Sequence, residues 1–121
     1  MELSLVERNE KQFLEGVAGQ PLMRDVADAV KIVEACFNHQ TKCLLLYAEN
    51  LTEHFFDLSS GEAGAILQKL RTYHVRLAVV WSPDTRPLSR RFGDLMVEEN
   101  RDRYFYLFEE RDKAEAWLLE D

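Results

Sequence analysis

The chain has 121 residues, 46% of them hydrophobic and 31% charged, with a formal net charge of -7. That is enough apolar material for one domain core, on an acidic surface that repels phosphate backbones and anionic lipid, so nucleic acid and membrane are excluded as default partners. A single domain over residues 1–121 is expected, and no apolar run approaches the roughly twenty residues that span a bilayer.

Residues 2–7 alternate polar and apolar, 8–11 offer a turn, and 12–17 follow as a second strand, which predicts an opening hairpin. Over 23–38 the apolar residues Val26, Val30, Val33 and Phe37 recur at helical spacing, with Ala27 and Ala29 small enough to let a helix approach a sheet. Residues 42–48 and 75–81 are apolar without alternation and are read as strands covered on both faces. Between them, 61–73 sets Ala63, Ile66, Leu67 and Leu70 on one helical stripe. Pro83 and Pro87 bracket a loop, and 88–99 returns to helical spacing through Leu88, Phe92, Leu95 and Met96. An aromatic strand at 103–108 and a last helix at 112–120, with Ala114, Trp117 and Leu118 on one side, close the chain. The order ββαβαβαβα predicts an α/β fold: a mixed sheet of about five strands, helices packed on it and right-handed crossovers.

Ligands and partners of open α/β sheets gather where strands end and helices begin. Two segments reach that rim here, one from Glu49 to Ser60 and one from Trp81 to Arg91. In the first, Ser59 and Glu62 have the spacing of a capping box, each side chain reaching the other's N–H. Ser60, beside Gly61 at the helix start, is a hydroxyl whose phosphorylation the helix dipole would tolerate, and Ser59 is the neighbouring candidate. Phe55 and Phe56 are expected to pin this loop to the core. His54, Asp57, Trp81, Ser82, Arg90 and Arg91 complete the expected contact surface. Trp81 is an interface anchor, and Arg90 and Arg91 join Arg86 in a small cationic cluster suited to an anion or an acidic partner.

Catalytic chemistry is not signalled. Cys36, His39 and Cys43 would fall on a helix end, a loop and a strand start and lack a fourth ligand, so no metal site is expected. The same cysteines, in a chain without a secretory leader pattern, point to free thiols in a reducing cytoplasm. His54 and His74 stand alone. The carboxylate pairs Glu53 with Asp57 and Glu98 with Glu99 follow from a composition of 22 acidic residues. No phosphate-binding glycine loop, Gly-x-Ser-x-Gly elbow or His-Glu-x-x-His motif is present. No catalytic residue and no cofactor is expected.

The run His54-Phe55-Phe56-Asp57-Leu58-Ser59-Ser60-Gly61 continuing to Leu70, with Tyr73 and Leu77-Ala78-Val79-Val80, resembles a bacterial family known as domain of unknown function 4180. Ser89-Arg90-Arg91-Phe92, Glu98-Glu99-Asn100 and the closing segment from Ala114 extend that resemblance over nearly the whole chain. The element order and the serine pair opening a helix after the third strand are also similar to the sulfate-transporter and anti-sigma-antagonist (STAS, SpoIIAA-like) domain. Its bacterial members are partner-switching proteins phosphorylated on a serine. That resemblance implies Ser60 as the modified position, although Leu58 sets Asp57 one residue further upstream than in the motif. The expected function is a non-enzymatic binding or regulatory module partnered by another protein, such as a kinase or anti-sigma-like factor. A small-molecule pocket or enzyme beneath the same rim, oriented by Asp57 or His54, and a structural subunit of a larger complex are the alternatives. A homodimer through the edge of the opening hairpin is compatible with the pattern.

Overall fold

Asn9 and Glu10, with φ of 52° and 71°, turn the chain in two residues, and a left-handed pair of this kind matches the twist of the strands it joins. The strands are β1 (Leu3–Arg8) and β2 (Lys11–Gly16), paired antiparallel. The computed structural model describes residues 3–120, so residue 2, where the first strand was expected to begin, lies outside the described residues. The remaining elements are α1 (Val26–Asn38), β3 (Cys43–Tyr47), α2 (Glu62–Thr72), β4 (Arg76–Val80), α3 (Arg90–Arg101), β5 (Phe105–Phe108) and α4 (Arg111–Leu119). This is the expected α/β order.

The sheet runs β1-β2-β3-β4-β5, with β2 to β5 mutually parallel. Each parallel step moves one place in the same direction, and crossovers of one hand then stack successive helices on one face. Residues alternate between the two faces accordingly. Leu14, Leu44, Leu46, Leu77, Val79, Phe105 and Leu107 meet α1, α2 and α3 in one core. Phe13, Leu45 and Ala78 meet Ala114, Trp117 and Leu118 of α4 in the other. The uninterrupted apolar letters of β3 and β4 are thus buried on both sides, as expected.

Two expectations for α1 need correction. It begins at Val26, not residue 23, because the Asp25 carboxylate accepts from the Asp28 N–H at 2.9 Å and sets the N-cap. Met23 instead donates its N–H to the Asn50 carbonyl at 2.8 Å. Nor is the whole stripe of Val26, Val30, Val33 and Phe37 the buried one, since only Val26 and Val33 pack, partly buried, against the core. Ala29, Ile32 and Cys36 enter the core, whereas Val30 is 38% and Phe37 82% exposed. The stripes of α2 and α4 are buried as expected.

Candidate functional site

The rim beyond β3 is built from three short 3-10 turns, Ala48–Asn50, Glu53–Phe56 and Leu58–Ser60. Thr52 caps the second by accepting from the His54 N–H at 2.9 Å. Asp57 caps the third, its Oδ1 accepting from the Ser59 N–H at 3.0 Å and the Ser59 hydroxyl at 2.6 Å. Those two bonds hold the Asp57 carboxyl below the usual carboxylate range. Gly61, with φ of 78°, then makes the left-handed bend that starts α2.

Ser60 is exposed, yet its hydroxyl is fully engaged. Its oxygen lies 2.6 Å from the His54 carbonyl and 2.8 Å from the Asp57 carbonyl, so one proton is shared between two acceptors, and it accepts from the Glu62 N–H at 3.2 Å. The expected capping box is therefore not formed. Asp57 has already taken the Ser59 N–H, Ser60 rather than Ser59 serves Glu62, and Glu62 Oε2 is shielded without a hydrogen-bond partner. The left-handed Gly61 is itself the N-cap of α2, without a capping side chain, and the Ser60 hydroxyl just before it accepts the Glu62 N–H.

Beyond β4, Trp81 is half-buried. Its backbone N–H donates to Phe108 and its indole Nε1 donates to the Arg86 carbonyl, both at 2.8 Å, which folds the second loop back on itself. The Ser82 carbonyl accepts from Thr85 and Arg86 within the same loop. Ser89 caps α3 by accepting from the Phe92 N–H at 3.1 Å, and Arg90 and Arg91 follow, both exposed. These two cations stand at the positive end of the α3 dipole.

The two loops meet through aromatic rings. Phe55 is wholly buried, packed against Phe92 and Phe105. The Phe56 ring centroid lies 5.4 Å from that of Phe92, and the Arg86 guanidinium sits 4.7 Å from the Phe56 centroid as a cation-π contact. His54, Asp57, Ser59 and Ser60 thus share one turn, and Trp81, Ser82, Arg90 and Arg91 share the other loop. Among the described residues no hydrogen bond or ion pair joins the serine turn to Ser82, Arg90 or Arg91. Arg86 over Phe56 is a direct side-chain contact between them.

Asn50 has a role that the sequence did not reveal. Fully buried, it accepts from the Tyr47 N–H at 2.7 Å and donates to the carbonyls of Val17 at 2.7 Å and Gln20 at 2.6 Å, tying the rim to the β2–α1 connection. The signal was a carboxamide directly after a buried strand, where backbone groups lose their ladder partners. Below Tyr47, its hydroxyl donates to Glu15, which also receives a bidentate Arg111 at 2.9 and 2.6 Å. Cys36 and Cys43 are free thiols, and among the described residues no group of three or more His, Cys, Asp or Glu is placed to hold a metal. No described helix is long and apolar enough to cross a membrane.

The family described as "Domain of unknown function (DUF4180)" matches residues 8–118. No curated protein matches the chain.

Proposed function

Because the chain belongs to the DUF4180 family, whose description carries no activity, we propose from the geometry that it is a non-enzymatic, protein-binding regulatory module worked from the rim after β3 and β4. The observation that carries this reading is the exposed Ser60 hydroxyl, bonded to two carbonyls of its own turn. A phosphoryl group on that oxygen removes the donor and sets a dianion against two carbonyl oxygens and the Asp57 carboxylate, so the turn must open. Opening it shifts Phe56, and with Phe56 the Arg86 contact that positions the second loop. A modification at one loop is read at the other.

Arg86, Arg90 and Arg91 suit an acidic segment of a partner protein. The element order and the serine pair ahead of α2 support a partner switch of the STAS type, with a kinase as the modifying protein. Two free thiols fit a reducing cytoplasm. A small-molecule reading has one observation in its favour, a cleft of about 470 Å³ where Trp81 meets Met96, Tyr106 and Phe108.

The test pairs phosphosite mapping with Ser60→Ala and Ser60→Asp. Phosphate on Ser60, and a protein partner that binds the parent and Ser60→Ala but leaves Ser60→Asp, is the expected result. If both variants keep every partner of the parent, the switch is wrong.

A further inference from the structure

The misplaced stripe on α1 leaves an apolar ridge in water. Phe37 is 82% and Tyr73 52% exposed, at the C-terminal ends of α1 and α2, and both line the same clefts. Grooves flank the ridge on both sides and share Val33, Phe37 and Tyr73 as walls. One, of about 570 Å³, continues over Cys36 and Val75 to Lys42. The other, of about 390 Å³, continues over Val30 to Glu34. Contiguous exposed apolar area of this kind marks an interaction surface.

We propose that this face joins two copies of the chain as a two-fold dimer. A symmetric interface needs knob and hole on one patch, because each copy presents the same surface to the other. Here they are adjacent. A two-fold axis lying between the ridge and the larger groove drops each Phe37–Tyr73 ridge into the partner's groove. The same rotation carries the Glu34 flank of one copy onto the Lys42 flank of the other. Both residues are exposed, and neither has an ion-pair partner among the described residues. The charges answer the main objection to self-association, the repulsion of two chains of net charge -7. At this patch the acid of one copy is set against the base of the other.

Sedimentation equilibrium from low micromolar to several hundred micromolar protein tests the assignment. The parent dimerises, and Phe37→Glu weakens the dimer by about tenfold or more with an unchanged circular dichroism spectrum. Glu34→Lys and Lys42→Glu each weaken it by a smaller factor, about three- to tenfold, and the double exchange restores most of the loss. A parent that stays monomeric throughout overturns the proposal, as does a dimer indifferent to Phe37→Glu or a charge exchange without rescue. Binding of 1-anilinonaphthalene-8-sulfonate to a monomeric parent, lost in Phe37→Glu, also overturns it and assigns the groove to an apolar anion.

Discussion

Only a carboxamide satisfies the position of Asn50, a fully buried residue that accepts one backbone N–H and donates to two carbonyls. Replacing it by leucine removes all three bonds and leaves the Val17 carbonyl only the Gln20 N–H at 3.3 Å, and a loss of about 3 kcal/mol in unfolding free energy is expected from urea titration. Gly16 is fixed by the same site. A Cβ there meets Asn50 Oδ1 at 2.7 Å and a Leu46 methyl at 2.8 Å, so Gly16→Ala is expected to cost about 1–3 kcal/mol by overpacking. Neither requirement was legible in the sequence. The partners of Asn50 lie 30 and 33 residues away, beyond anything periodicity reports. Burial also pushes the Cys36 thiol up to about 12. Ellman's reagent should accordingly leave Cys36 untouched in the native chain and label it only after denaturation.

Among the elements, β2 and α4 are clamped by the fork of Arg111 on Glu15. Those hydrogen bonds hold the Glu15 carboxyl below its ordinary value of 4.5 despite burial, which acts the other way. Asp28, bonded to Arg24, is lowered in the same sense. A carboxyl lowered in the folded state stabilises the fold fully above its unfolded value, and that contribution is lost as the pH falls through the folded one. Urea midpoints should therefore hold from neutral pH down to about pH 4.5 and then fall. In Glu15→Gln the neutral midpoint drops and the acid slope flattens. Helix faces were readable where apolar residues occupy one side only, as in α2 and α4. They failed in α1, where Ala29, Ile32 and Cys36 run beside Val30, Val33 and Phe37 and two overlapping stripes share one period. The serine turn was half legible: spacing located a helix start after the serines, but not that Gly61 would take the N-cap and Ser60 rather than Ser59 would meet the Glu62 N–H. Amide exchange over residues 54–62 checks that assignment, since Ser60→Ala should speed it while Ser59→Ala disturbs the Glu62 amide little.

At the scale of the molecule, the element order, the two-sided burial of β3 and β4 and the placement of the rim loops were all legible, because they follow from apolar patterning and crossover handedness. What joins the loops was not, since Arg86 meets Phe56 only once α2 and α3 are stacked side by side. The two faces of the sheet are unequally covered: three helices shield one and α4 alone the other. Removing residues 111–121 should leave Phe13, Leu45 and Ala78 bare, and the shortened chain is expected to precipitate on expression while the parent stays in the supernatant.

That inequality has a consequence during synthesis. Strands β1 to β4 precede α4 by thirty residues or more, so during synthesis they emerge with one oily side uncovered until β5 and the nine-residue α4 follow them. The interval before α4 docks is the one in which a chaperone has most influence on the yield of native protein.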